Sequence, residues 1–311
     1  SRNAFEPFSR LLGYRNPQTS SRTMTQQQTP PTLGMGLSPA NPEYQRDPFT
    51  LLDDVREQGR AVYDELFGRY IVGRFEDVQQ ILNDRDLNVD PRKADESSFM
   101  ANFRRRFTDD TREPSMLFLD PPDHDRLRGL VTRAFPPRSI EQMRGRIGEI
   151  ANELIDKVEG QSSFDLMKAF CQPYPTIVIA EMLGVDPNDQ ADFKRWTDDG
   201  VAAGFDPFAG EEKQQRAKVA REQLETYLRK AIAERRAEPK DDLITALLHA
   251  EDEGNFFNDE EVVSMVALLL GAGNVTTTDL LGNGLKNLLQ QPDQVQILRK
   301  NPSLIINAIE E

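Results

Sequence analysis

Cysteine and histidine, on which disulfides and most transition-metal sites depend, are scarce in this sequence. Among its 311 residues there is a single cysteine, Cys171, so no disulfide can form within the chain. The two histidines, His124 and His249, are too few for most zinc sites built from cysteine and histidine. The sequence therefore favours a protein of a reducing compartment and argues against a disulfide-rich or zinc-stabilised domain.

Basic residues and long apolar runs are also few. Lysine and arginine number 38 against 52 aspartates and glutamates, which gives a formal charge of −14 at pH 7. This balance disfavours binding to nucleic acids, because neutralising phosphates requires a cationic surface. No uninterrupted apolar run approaches the roughly 18–20 residues that span a bilayer, and the first residues lack the apolar stretch of a signal peptide. We predict a cytoplasmic globular protein with no membrane span and no nucleic-acid partner.

The N-terminal part of the chain divides into a polar segment and a region with the patterns of a folded protein. Residues 1–46 are rich in proline, glutamine, serine and threonine, which predicts a flexible tail; docking of its few apolar residues to a partner is the alternative. After Asp47 the pattern predicts a helix ending at Gly59, a β-hairpin split near Gly68 and a helix over FEDVQQILND. Residues 85–119 are irregular, and a loop of this length is usually functional or mobile.

Beyond Pro122 the hydrophobic periodicity is almost entirely helical. Prolines lie at most of the expected boundaries, where helices begin or end. The predicted fold class is therefore mainly α with a small β element near the N-terminus. The predicted helices lie near residues 123–135, 139–159, 173–184, 188–203, 211–237, 241–250, 258–290 and 292–300.

The segment LDPPDHDRLRGLVTRAFPPR is the first of two whose side chains indicate chemistry. Asp120 is a good N-cap for its helix, and the prolines suit a first turn. His124 and Arg128 are four residues apart and share one helix face, where two donors can clamp an anion such as a carboxylate. Arg126 and Arg133 project elsewhere and give the helix a basic outer side. The alternative is a solvated amphipathic helix with ordinary surface salt bridges.

The second segment, EEVVSMVALLLGAGNVTTTDLLGNGLKNLLQQPDQ, is the most apolar of the chain and long enough for a helix that crosses a domain. Its middle favours a helix poorly, because Gly271 and Gly273 each cost about 1 kcal/mol relative to alanine and three β-branched threonines follow. One interpretation is that the helix opens there, so that a flat ligand approaches the backbone and a threonine hydroxyl faces it. The other is a packing kink in which threonine bonds to a carbonyl one turn earlier.

In their order and separation these segments resemble a bacterial cytochrome P-450, a haem-thiolate monooxygenase, over residues 47–311. DPPDHDRLRGLVTRAF is similar to the C helix of that family, whose His-x-x-x-Arg pair binds the haem propionates; the matching residues are His124 and Arg128. LLLGAGNVTTTDLLGNGL is similar to the I helix, which carries an Ala/Gly-Gly-x-acid-Thr signature over the distal face of the haem. The resemblance implies a cytochrome P-450 fold that is incomplete at the C-terminus, running through the I helix to the start of the K helix.

The I-helix segment departs from the family pattern at one position. The family usually has aspartate or glutamate just before the threonine, where it helps deliver protons to bound dioxygen. This chain has Val275 there, and valine cannot relay a proton. A relay would need Asn274, Thr277, Asp279, water or the substrate, and we expect slower or less tightly coupled oxygen activation.

The cysteine of the family's iron site is a second departure. Glu311 aligns with the first residue of the family's Glu-x-x-Arg motif, and the loop that supplies the cysteine thiolate follows that motif. The chain therefore offers no metal ligand of that kind. Cys171 lies far upstream, and we expect it to be a small buried side chain rather than a ligand.

The resemblance implies a haem b enzyme that inserts one oxygen atom from O2 into a small or medium apolar organic substrate. Electrons would derive from NAD(P)H and arrive through a ferredoxin or flavodoxin-like partner, for which Arg126, Arg133 and Arg138 offer a basic docking side. The implied site residues are Thr276 and Asn274 for catalysis; His124, Arg128, Ala272 and Gly273 for haem; and Leu268, Leu269, Val275, Phe99 and Phe205 for substrate, with Phe103 and Phe208 as further lid candidates.

Two other hypotheses remain open from the sequence. A chain ending at Glu311 would be a haem-free helical fragment that acts as a binding or scaffold protein, or that has no function. Alternatively, the absence of an acid at position 275 suits a haem enzyme with a changed reaction, either oxidation driven by peroxide or dehydration. Haem content separates the first hypothesis from the others, and the preferred oxidant separates the second.

Overall fold

The computed structural model describes residues 33–38, 41–95, 98, 102, 115–186, 189–204 and 210–310. The chain divides into two compact units, one made of Ser1–Pro114 with Phe118–Asp120 and the other of Ser115–Leu117 with Pro121–Glu311. The predicted substrate and lid residues Phe99, Phe103, Phe205 and Phe208 lie outside the described residues, as do most of the predicted tail and Glu311.

The first unit contains the helices and the hairpin that the sequence predicts after Asp47. Asn41 and Asp47 cap α1 and α2 by accepting backbone N–H groups, and a proline follows each cap. The structure also describes a 3-10 turn, Gly34–Leu37, and α1 inside the segment predicted to be flexible, where burial of Leu37 supplies an apolar contact. The elements are α1 (Pro42–Arg46), α2 (Pro48–Gln58), β1 (Val62–Asp64), β2 (Arg69–Ile71), antiparallel to β1, and α3 (Phe75–Asn83).

Asp120 belongs to this first unit, and its predicted role as a helix cap is wrong. Its carboxylate accepts the backbone N–H of Val89 at 2.8 Å and lies 2.9 Å from Nζ of Lys93. The following helix begins at Asp123 without a side-chain cap. A buried carboxylate needs partners, and for Asp120 these come from about 30 residues upstream rather than from the next turn.

The second unit is almost entirely helical, which confirms the predicted fold class. Two of its helices, α9 and α12, have the bounds that the sequence predicts. The elements are α4 (Asp123–Ala134), α5 (Pro137–Gln142), α6 (Arg144–Asp156), a π-helical turn (Met167–Cys171), α7 (Pro173–Met182), α8 (Gln190–Gly204), α9 (Glu211–Ala237), α10 (Leu243–His249), β3 (Glu251–Asp252), β4 (Asn255–Phe256), α11 (Asp259–Leu289), α12 (Pro292–Lys300) and α13 (Ile305–Glu310).

The helix predicted over residues 139–159 is two helices in the structure. At Met143 the backbone N–H bonds to the carbonyl of Ile140, three residues earlier, at 3.1 Å. This tighter bond interrupts the four-residue ladder, and a new helix begins at Arg144. The sequence lacks a proline at this point, so its periodicity alone does not reveal the break.

Helix α11 is the central element of the second unit and packs against α7, α9 and the π-helical turn. A capping box at Asn258 and Glu261 starts it, and its N-terminal half is largely buried. Contrary to the expectation from the sequence, α11 is long and apolar enough to cross a membrane by length and composition, although 39% of its most apolar stretch is buried in the structure. Core helices of soluble proteins have the same composition, and the exposed part of α11 contains the residues discussed below.

Gly184, which follows α7, is the residue whose replacement we expect to disturb this unit most directly. It has φ of +66°, and a Cβ there would lie 2.9 Å from both Nη2 of Arg235 and Cβ of Asp242. We predict that Gly184→Ala lowers the free energy of unfolding by about 2–4 kcal/mol, from left-handed strain plus displacement of the buried pair.

Gly160 provides the matched control for this substitution. It also has a positive φ, of +78°, but nothing lies within 4 Å of an added Cβ. Gly160→Ala should therefore cost only the backbone strain, about 1–2 kcal/mol. Urea denaturation of both variants checks the prediction, and equal losses of stability would show that the pair beside Gly184 plays no part.

Candidate functional site

Helix α4 forms because acidic residues occupy its first turn, a basic residue its last turn, and apolar residues recur on one face. Asp123 and Asp125 lie near the positive end of the helix dipole and Arg133 near its negative end. The apolar face is buried. It consists of Leu127, Leu130, Val131 and Ala134.

His124 and Arg128 lie one turn apart on a different face of α4. Arg128 is exposed, and within the described part of the chain its guanidinium makes no ion pair. The His124 side chain is 39% exposed, with Nδ1 3.2 Å from the Asp125 carboxylate. We call these two residues the α4 pair. They present nitrogen donors of the kind that bind a carboxylate or phosphate, as the sequence predicts.

The predicted basic outer side of α4 is only partly present. Arg126 is partly buried and forms an ion pair with the buried carboxylate of Glu261, a residue in the first turn of α11. Arg133 is exposed, but its Nε donates to Asp252 at 3.0 Å. Arg138 is exposed. The prediction that Arg126 faces outward is wrong, because its partner lies 135 residues downstream and no local pattern reveals it.

Helix α11 stays helical through its glycines and threonines. It is continuous from Asp259 to Leu289, and Oγ1 of Thr276 donates to the carbonyl of Ala272 at 2.6 Å. Of the two interpretations that the sequence left open, the structure shows the second, in which threonine bonds to a carbonyl one turn earlier. Ala272 and Thr276 are exposed, so a small-residue face lies on an otherwise apolar helix.

Asn274 and Thr276 lie on different faces of α11. Asn274 is buried, and its Oδ1 lies 3.0 Å from Oγ1 of Thr176 in α7 and 3.4 Å from Oγ1 of Thr278. Two residues along a helix are about 200° apart around its axis, so the amide points away from the Thr276 face. The structure therefore does not bring together the two residues that the sequence predicts for catalysis.

The remaining predicted contacts of α11 border its exposed face. Leu268 and Leu269 are half-buried one turn before Ala272, and Val275 and Gly273 are half-buried as well. An added Cβ at Gly271 would meet nothing within 4 Å. The backbone is thus open to close approach on this side of the helix.

Cys171 ends the π-helical turn before α7 and is completely buried. Burial raises the pKa of its thiol above the ordinary value, because the apolar surroundings disfavour the thiolate. This agrees with the expectation of a small structural side chain. Among the described residues there is also no cluster of three His, Cys, Asp or Glu side chains that would hold a metal ion.

The structure contains a groove that the sequence analysis does not predict. It has a volume of about 460 Å³ and lies between the π-helical turn and the C-terminal half of α11. At Gly282 the absence of a side chain lets Met167 approach, and this glycine is a local signal of the groove in the sequence. The lining residues are Leu166, Met167, Asp279, Gly282, Asn283, Lys286, Leu289 and Gln290.

The donor set fits one part of the haem site that the resemblance implies. The α4 pair has the exposure and the nitrogen donors that two propionate carboxylates require. The exposed face of α11 carries small residues, Ala272 and Thr276, beside an unobstructed Gly271, as a flat macrocycle requires. The fit does not extend to the iron ligand, because the single cysteine of this chain is buried in the α7 region.

Comparison with known proteins gives a consistent result. The family model described as Cytochrome P450 matches residues 71–309. Cytochrome P450 CYP107DY1 of Priestia megaterium is 38% identical over 273 residues, which cover 86% of this chain and 64% of that protein. The chain thus spans 58–67% of the length of three curated relatives that it matches.

Solved structures give the same picture. Cytochrome P450 CYP109Q5 from Chondromyces apiculatus has a TM-score of 0.75 and 38% identity, with 86% of this chain and 65% of that chain covered. The myxobacterial cytochrome P450 CYP267B1, solved in complex with myristic acid, has a TM-score of 0.74 and 36% identity, covering 86% of this chain and 67% of that one.

Proposed function

This chain belongs to the cytochrome P450 family, and on that premise we propose that its parent protein is a haem-dependent monooxygenase acting on a small or medium apolar organic substrate. The observation that carries the proposal is the α4 pair, a half-buried histidine and an exposed arginine one turn apart at the positions of the family motif. Bound haem b supplies the activation of dioxygen and the transfer of one oxygen atom.

The α4 pair would hold and orient haem through its two propionate groups. The Arg128 guanidinium carries several N–H donors in a planar fork that matches a carboxylate. His124 adds a second donor one turn earlier. Arg128 and His124 would therefore bind one propionate each, or would bind the same propionate together. Within the described residues Arg128 has no ion pair that would have to break before it binds a propionate.

The exposed face of α11 offers space for haem and substrate, and it carries one hydroxyl group. Ala272 and the adjacent glycines keep side-chain bulk away, while half-buried Leu268 and Leu269 offer apolar contact to a substrate. The Thr276 hydroxyl directs its proton to the Ala272 carbonyl at 2.6 Å, which leaves the lone pairs of Oγ1 toward solvent. Thr276 would therefore accept a hydrogen bond from water, or turn its proton outward to donate one.

Proton delivery is the step for which this chain is least well equipped. Val275 is half-buried and has no exchangeable proton, and Asn274 is turned to the buried side of α11. We therefore propose that protons reach the Thr276 face through water rather than through a residue of the GAGNV stretch. The same observation favours a second candidate function, oxidation that uses peroxide in place of O2 and reductant.

Oxygen-isotope labelling tests the proposed function in the full-length protein. With myristic acid as the probe substrate and a ferredoxin or flavodoxin-like donor reduced by NAD(P)H, we expect product oxygen to come from labelled O2. If product forms only with added peroxide, the peroxide alternative is correct. If haem is absent from the full-length protein, both enzyme proposals fail.

Restoring an acid before Thr276 should improve coupling between reductant and product. We predict that Val275→Glu raises the fraction of NAD(P)H recovered as product several-fold, because a carboxyl group near the exposed face can pass protons that valine cannot. Val275→Gln is the matched control, since it has the same size and polarity but does not titrate. Equal coupling in both variants and the parent would show that the missing acid has no consequence.

The cell compartment and electron donor follow from the same proposal. We propose a cytoplasmic enzyme, in keeping with the single buried cysteine and the acidic composition. The exposed Arg133 and Arg138 are the remaining candidates for docking an acidic electron carrier, and Arg133 would have to share its charge with Asp252.

A further inference from the structure

Helix α4 has three distinct faces, and the one opposite the α4 pair is held by the segment that leads into α11. Successive residues turn by about 100° around a helix axis. Arg126, Gly129 and Arg133 therefore fall within about 60° of one another, while His124 and Arg128 lie roughly 160–200° away from Arg126. The apolar core face lies between these two.

The first contact of this third face joins α4 to the capping box of α11. The Arg126 side chain is 31% exposed and pairs with Glu261, whose side chain is 9% exposed. The same Glu261 carboxylate accepts the backbone N–H of Asn258 at 2.9 Å, and the Asn258 side chain accepts the Glu261 N–H at 2.8 Å. The capping box thus fixes the carboxylate that holds Arg126.

The second contact uses the hairpin just before α11. Asp252 in β3 lies against Gly129 so closely that a Cβ there would sit 3.2 Å from the carboxylate carbon. Nε of Arg133, one turn further along α4, donates to the same carboxylate at 3.0 Å. Asp252 therefore touches α4 at two successive turns on the Arg126 side.

We propose that Arg126, with Glu261 and Asp252, sets the rotation of α4 about its own axis and so the direction in which the α4 pair points. We call these contacts the α4 clamp. In this role Arg126 is a positioning residue, because it does not face the same side as His124 and Arg128. The inference rests on the proposed function, since it assigns the clamp a role in holding haem through that pair.

A double-mutant cycle on haem release from the full-length holoprotein tests the clamp. We expect Arg126→Gln to speed transfer of haem to apomyoglobin about tenfold, the effect typical of residues that orient a ligand group. In a His124→Gln, Arg128→Gln background the same change should have no further effect, because the clamp would act only through the pair. Equal acceleration in both backgrounds would overturn the proposal and leave Arg126 a purely structural residue.

Controls separate this result from unfolding and from failure of the proposed function. Arg126→Lys keeps a charge opposite Glu261 and should retain haem better than Arg126→Gln. Arg138→Gln removes the same charge from an exposed site outside the clamp and should not change the release rate. If the His124→Gln, Arg128→Gln protein itself releases haem at the parent rate, the α4 pair does not hold haem and the observation that carries the proposed function is lost, whereas parent-like release by Arg126→Gln alone contradicts only the clamp.

Discussion

Replacing His124 and Arg128 together in the full-length protein should weaken haem binding by at least about 100-fold. Hydrogen bonds to charged groups contribute about 1.5–3 kcal/mol each, and loss of two such contacts multiplies the dissociation constant accordingly. The affinity is measured by titrating haem into the apoproteins of the parent and of His124→Gln, Arg128→Gln.

The exposure of both side chains makes this prediction specific to the ligand. Arg128 is exposed and the His124 side chain is 39% exposed, so the urea midpoint of the apoprotein should change little. Arg138→Gln is the matched control, because it removes an exposed charge outside the α4 clamp, and it should leave the haem affinity within about twofold of the parent. A pair variant that binds haem as tightly as this control would remove α4 from the site.

The largest loss of stability is expected at Arg235, whose ion pair is the most buried among the described residues. The side chains of Arg235 and Asp242 are 6% and 4% exposed, and Nε lies 2.8 Å from Oδ2. Arg235 also donates to the carbonyl of Gly184 at 2.6 Å, and Asp242 accepts the backbone N–H of Thr245 as the N-cap of α10. Arg235→Met leaves Oδ2 of Asp242 and the carbonyl oxygen of Gly184 without the guanidinium donor, which should cost about 3–5 kcal/mol.

The neighbouring Arg236 offers a control on the same helix. Its pair with Asp259 is half exposed, at 50% and 54%, so Arg236→Met should cost less than about 1 kcal/mol. Adding Asp242→Asn to Arg235→Met should recover part of the loss, because asparagine still caps α10 without a buried charge. Urea unfolding curves with unchanged slope report these differences. Equal midpoints for Arg235→Met and Arg236→Met would contradict the account.

The helical outline could be predicted from the sequence because its signals are local. The bounds of α9 and α12 follow from a glycine or proline at a boundary and a regular apolar stripe between. The break at Met143 depends on a change from four-residue to three-residue hydrogen bonding, and no proline marks it in the sequence. Because the apolar periodicity continues on both sides of the break, the sequence predicts a single helix.

The site was only partly predictable, for a related reason. A spacing of four residues places His124 and Arg128 on one face whatever the tertiary structure, and both are found there. The directions of Arg126 and Asn274 depend instead on Glu261 and Thr176, which are 135 and 98 residues away in the chain. Side chains whose partners lie so far apart cannot be assigned a face from periodicity, and both were assigned the wrong surroundings.

The haem content of the purified full-length protein tests the central claim most directly. We predict one haem b per chain, with a thiolate-type absorption spectrum after reduction and addition of carbon monoxide. Because Cys171 is buried, Cys171→Ala should leave this spectrum unchanged. A full-length protein that binds no haem, under conditions where it is folded, would contradict the account of α4 and α11 as walls of a haem site.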